Sequence, residues 1–175
     1  MTSKLGQVVV VLGSQWGDEG KGKIVDVLSQ EYDVCARYNG GANAGHTIVV
    51  NNVKFAFHLM PSGILNPQAH CLIGNGCVVH LPTLFEELDQ LTAKGVSWEG
   101  RLFISDRAHI VFDFHQTIDG MNENELGGSK IGTTRRGIGP TYVDKMNRSG
   151  VRFVDLGTPQ FGDKLKRIVN SAHKR

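Results

Sequence analysis

Three glycine-rich stretches hold most of the residues in this chain that could do chemistry. Gly13 to Gly22 contains four glycines, the acids Asp18 and Glu19, and Lys21. Gly17 to Lys23 fits G-x-x-x-x-G-K, the spacing of a loop whose backbone N–H groups cradle phosphate. Ile24 stands where that loop needs Ser or Thr for magnesium. The stretch is therefore a phosphate loop with a defect, or a different loop. Asp18 offers a substitute oxygen ligand, suited to a hard cation such as Mg²⁺. A carboxylate repels phosphate in a plain cradle, but it makes sense beside a metal or as a base. Asn39 to Thr47, NGGANAGHT, is a second polar loop, and His46 is its one titratable side chain. That makes His46 a candidate for catalysis, against the plainer reading of a structural histidine. Glu125 to Pro140, ELGGSKIGTTRRGIGP, is the third. Thr133, Thr134, Arg135 and Arg136 could hold a phosphate, or could be a solvated basic surface.

Loops of this kind need elements to place them. Val8 to Leu12 is a continuous apolar run and predicts a buried strand. After the first loop, Ile24, Val27 and Leu28 fall on one face of a helix. Asp33 to Tyr38 predicts a second strand, which completes a βαβ unit with parallel strands. The second loop should then leave the C-terminal edge of that strand, where open parallel sheets bind ligands. Thr47–Val50 and Val53–Leu59 around Asn51-Asn52 predict a hairpin. Ala69–Ile73, Cys77–His80 and Arg101–Ser105 predict short strands. Pro82 opens a helix with Leu84, Phe85, Leu88 and Leu91 as its buried stripe, ended by Gly95. His109–Phe114 predicts the start of a helix, Val151–Leu156 an extended segment, and Phe161, Leu165, Ile168 and Val169 a helical face. The fold class expected is α/β: an open, mainly parallel sheet with flanking helices and a P-loop-like phosphate loop after the first strand. One domain over residues 1–175 is expected.

Composition agrees with that class. Of 175 residues, 40% are hydrophobic and 21% charged, as in a globular protein with a real core. A net charge of +2 gives no argument for nucleic acid or a membrane surface. Cys35, Cys71 and Cys77 lack C-x-x-C spacing and read as free thiols in a reducing compartment. No zinc pattern is present. No apolar run approaches the roughly 20 residues of a membrane span, so a cytoplasmic protein is the expectation.

The run QWGDEGKGK, the motif NAGHT and the spaced IGTT-x-x-GIGP-x-Y together resemble the adenylosuccinate synthetase family, in the right order along the whole chain. HLPTLFEE and ISDRAHIVFDFHQ look closest to its eukaryotic branch. Family members are more than twice as long, so the resemblance is to their N-terminal part. The resemblance implies a ligase that joins IMP and L-aspartate with GTP and Mg²⁺, through a 6-phosphoryl-IMP intermediate, in a homodimer. It implies that Asp18 removes the N1 proton of IMP and binds magnesium. His46 would be the acid supporting phosphoryl transfer, with Lys21 neutralising charge. Gly17, Asp18, Glu19, Gly20, Lys21, Gly22 and Lys23, with Gly45, His46 and Thr47, would hold the GTP phosphates, and the Gly45 carbonyl would bind magnesium. Asp18, Glu19, Gly20 and Lys21, with Asn43, Ala44, Gly45, His46 and Thr134, would line the IMP site. Arg148 would reach the IMP of the neighbouring subunit. The later residues that grip aspartate and guanine have no counterpart here, so the 175 residues alone are expected to be inactive. The other readings are a GTP-binding switch without IMP chemistry and a structural fragment that binds nothing.

Overall fold

The structure is a computed structural model, and it describes residues 6–15, 19–50 and 52–174. Seven strands and five α-helices lie along these residues. Strands β1 (Val34–Arg37), β4 (His70–Ile73) and β6 (Leu102–Ile104) form a parallel sheet in the order β1-β4-β6. Strands β2 (His46–Val50) and β3 (Val53–Phe57) form an antiparallel hairpin in which His46 faces Phe57. Asn52, beside the turn, takes a φ of 62°; Asn51 lies outside the described residues. Strands β5 (Val78–His80) and β7 (His109–Val111) pair in parallel. The helices are α1 (Lys21–Leu28), α2 (Leu81–Ala93), α3 (Asp113–Glu125), α4 (Ile138–Met146) and α5 (Phe161–Ala172).

Parallel strands buried on both faces need apolar residues throughout, and β4, β5 and β7 supply them: Cys71, Ile73, Val78, Val79, Ile110 and Val111 are all but fully buried. The main core joins Cys71, Ile73 and Val79 to the hairpin through Ile48, Phe55 and Phe57, and to α2 through Leu84, Leu88 and Leu91. A smaller core of Ile110, Val151 and Ile168 seats α5. The three cysteines are free, as their spacing predicts, and all three are buried.

Several expectations are corrected. Residues 8–12 form no strand, and Val8, Val10 and Leu12 are exposed. An apolar run becomes a buried strand only beside neighbours, and the described residues offer it none; β1 pairs with β4 instead. The βαβ unit expected at the start is therefore not formed. On α1 the expected face does not bury: Ile24 and Val27 are exposed, and Val25 is the residue that meets the core. On α2, Phe85 points outward and Glu87 takes a buried place in the stripe. His109 begins strand β7, and the helix starts only at Asp113. Phe153–Gly157 winds as a 3-10 turn, because Asp155 accepts the Arg152 N–H at 2.7 Å and the Lys164 ammonium at 2.6 Å.

Candidate functional site

The first loop ends where α1 begins. Gly20 caps that helix with a φ of 79°, a conformation that costs glycine little. Its carbonyl accepts the Lys23 N–H at 3.0 Å. Lys21 pairs with Glu19, whose carboxylate also accepts the Gln15 N–H at 3.1 Å. Gly13 leaves the space they fill, since a Cβ there would lie 2.8 Å from Glu19 Oε1. Gly17 and Asp18 lie outside the described residues.

His46 sits directly on this helix start. A Cβ on Gly22 would lie 2.9 Å from its Cδ2, and Phe57 backs the ring at 5.7 Å between centroids. The imidazole Nε2 is buried and has no hydrogen-bond partner among the described residues; the same holds for Nδ1 of His58. Burial, then the charges of Arg37 and His58, push the His46 pKa down to about 4. Without ligand the ring is therefore neutral at pH 7, and an acid role needs added negative charge beside it.

The second loop divides into a fixed base and an exposed tip. Gly41 and Ala42 are buried, while Asn43, Ala44, Gly45 and Thr47 are exposed. Arg37 grips the base, donating from Nε to Asn39 O at 3.2 Å and from Nη2 to Gly41 O at 2.7 Å. Its Nη1 donates to His58 O. The Tyr142 hydroxyl accepts the Gly40 N–H at 2.9 Å and donates to Gly76 O at 2.8 Å. At the tip, a Cβ on Gly45 would lie 2.9 Å from His58 Cε1. Glu87 holds the backbone beneath, accepting N–H bonds from His58, Leu59 and Met60 at 2.7, 3.0 and 2.9 Å.

Helix α3 carries the third loop. Its buried carboxylates Asp119 and Glu123 are one turn apart. Asp119 accepts the Gly137 N–H at 3.0 Å, and Glu123 accepts those of Gly132 and Ile131 at 2.6 and 3.3 Å. Gly137 has a φ of 74°, and a Cβ on it would press on Gln116 N at 2.8 Å. Thr134, Arg135 and Arg136 are exposed, and Thr133 Oγ1 is buried without a partner among the described residues. The start of α4 meets the second loop: a Cβ on Gly41 would lie 2.5 Å from Ile138 Cδ1.

The structure thus brings Gly22 to His46 and the second loop to the third. It does not bring Arg148 to them. Arg148, at a φ of 60°, lines a separate cleft of about 290 Å³ with Phe114, Lys164, Arg167 and Ile168. Sequence reasoning missed Arg37, Glu87, Asp119, Glu123 and Tyr142. For Glu87 a signal existed: it falls in register with Leu84, Leu88 and Leu91, and a carboxylate on an apolar stripe needs donors. Among the described residues no three His, Cys, Asp or Glu side chains gather as a metal centre, and no helix is long and apolar enough to cross a membrane.

Comparison with known proteins bears on the same segments. The profile of the adenylosuccinate synthetase family matches residues 10–175. The adenylosuccinate synthetase of Phaeodactylum tricornutum is 59% identical over 166 residues, covering 95% of this chain and 32% of its own. The chloroplastic one of Ostreococcus tauri is 57% identical, covering 99% of this chain and 36% of its own. The structure of the fully ligated adenylosuccinate synthetase of Plasmodium falciparum superposes with a TM-score of 0.89 at 45% identity, covering 97% of this chain and 40% of its own. The chain spans about a third to two fifths of the length of these proteins. Matched from residue 10 onward through all three loops, the chain belongs to the adenylosuccinate synthetase family.

Proposed function

We propose that this chain supplies the IMP-activating part of a GTP-dependent ligase that joins IMP to L-aspartate. Family membership supports the reaction class. One observation carries the site: the start of α1 and the imidazole of His46 meet at Gly22, with His46 Nε2 buried and unpaired among the described residues. A buried polar atom without a partner is costly, and a bound phosphate offsets that cost.

In this reading Asp18 takes the N1 proton of IMP. The C6 oxygen becomes nucleophilic and attacks the γ-phosphorus of GTP, the bond to the β-phosphate oxygen breaks, and GDP leaves. The aspartate amine then attacks C6 of 6-phosphoryl-IMP, loses its proton, and phosphate departs. Such a transfer needs positioning and charge neutralisation more than covalent help. Gly17–Lys23 and Gly45–Thr47 hold the GTP phosphates. Lys21 exchanges its Glu19 partner for phosphate, and polyphosphate charge returns the proton that burial denies His46. Asn43, Ala44 and Thr134, all exposed, face IMP. The donor set offered to a cation, the Asp18 carboxylate and the Gly45 carbonyl, is hard oxygen, while all three thiols are buried in the core. That chemistry suits Mg²⁺, which supplies charge neutralisation on the transferred phosphoryl group when bound. In a homodimer, exposed Arg148 reaches the partner's IMP.

Thermal-shift measurements with IMP and GTP, separately and together, test the reading. Stabilisation that depends on IMP is the expected result. Stabilisation by GTP alone would favour a nucleotide switch, and none at all would overturn both readings.

A further inference from the structure

We propose that Arg37 is a positioning residue for the phosphate-handling site: its guanidinium sets the base of the second loop, and through it where Gly45 and His46 stand over the start of α1. The proposal rests on the reading of that site as the one that handles phosphate.

The argument is a closed circuit. The chain leaves β1 at Arg37, runs through the loop to His46, and pairs there with Phe57 across the hairpin. The next residue is His58, whose carbonyl returns to Arg37 Nη1. The other two donor directions close on Asn39 O and Gly41 O. One planar fork therefore holds the first residues of the loop and the residue after its far anchor in fixed relation. His58 passes that relation on, because its ring packs against Gly45. Glu87 fixes the same residue from the opposite side through the His58 N–H. Only a rigid fork meets carbonyls in three directions; a lysine ammonium carries the charge on one flexible point. A structural arginine would serve the core in general. This one directs its three hydrogen bonds at the loop and the segment beneath its tip.

Arg37→Lys and Arg37→Met test this in the chain as it stands; the second keeps the packing of the stem without any donor. Amide hydrogen exchange and the stabilisation produced by IMP with Mg·GTP, each measured against the variant's own ligand-free melting temperature, are the readouts. Exchange at residues 39–47 should quicken about tenfold while β4 and β6 keep their protection. The ligand-induced stabilisation should be lost in both variants, which a uniform weakening of the fold would not do. Unchanged exchange at 39–47, or quickening spread evenly over β4 and β6 in both variants, would overturn the proposal. If the unsubstituted chain gains no stability from the nucleotides, the functional reading fails, and the exchange pattern alone still decides the role of Arg37.

Discussion

At Gly22 the lack of a Cβ decides how close the imidazole of His46 comes to the helix start. A methyl group would lie 2.9 Å from Cδ2 and 3.1 Å from Cγ, with Phe57 behind the ring. Gly22→Ala should therefore push His46 off α1. We expect the ligand-free melting temperature to move by only a few degrees and the nucleotide-induced rise to disappear; a normal rise would refute the contact's role. His109 gives a second test at this scale. It is buried in β7, and burial followed by the charges of Lys145, Arg152 and Lys164 pushes its pKa down to about 4. The unfolded chain takes up this proton near pH 6.5 and the folded one only near 4. Stability from this group is thus complete above pH 6.5 and falls as pH drops toward 4, by roughly 3 kcal/mol at full development. Urea unfolding at pH 7 and pH 5 should show the fall, and His109→Gln should reduce it, leaving the share that His46, with its pKa also pushed down to about 4, contributes in the same window.

At the scale of elements, helices α2 and α3 act as holders of loops. Glu87 on α2 accepts three consecutive backbone N–H bonds, and Asp119 with Glu123 on α3 accepts three from the third loop. Glu87→Ala should cost about 3 kcal/mol or more in urea unfolding, because buried donors lose a charged acceptor. A cost below 1 kcal/mol would show that water or a neighbour replaces it. Much of this layer was legible in the sequence. The hairpin at Asn51-Asn52, the helix opened by Pro82 and the short strands at Ala69–Ile73 and Arg101–Ser105 announce themselves through turn chemistry and β-branched runs. Val8–Leu12 misled, because an apolar run specifies burial but not the neighbour that provides it. The glycine loops were visible as motifs. Their anchors were not, since an arginine such as Arg37 reads as a surface charge until the carbonyls around it are placed.

At the scale of the molecule, the described residues leave Val8, Val10, Leu12, Ile24 and Val27 exposed near the first loop. Apolar surface of this extent favours association. We expect the 175-residue chain to self-associate in sedimentation and to form no adenylosuccinate in a coupled assay, even with the proposed phosphate loops in place. Robust turnover would place the aspartate and guanine grips within these residues. Arg148 lines a cleft apart from the loops. In a protein of the family's full length, mixing Arg148→Leu with Asp18→Asn subunits should restore part of the activity that each variant lacks, because hybrid dimers carry one site with both residues intact. Subunits that exchange without recovery would refute a role across the interface.

The close approach of Gly22 to His46, and of Gly41 to Ile138, has a thermodynamic consequence. Loops in such contact do not settle independently. A ligand that orders one removes conformational freedom that the next ligand would otherwise have to remove. The two nucleotides should then tighten one another's binding. Linkage requires the factor to be the same in both directions, whichever nucleotide arrives first.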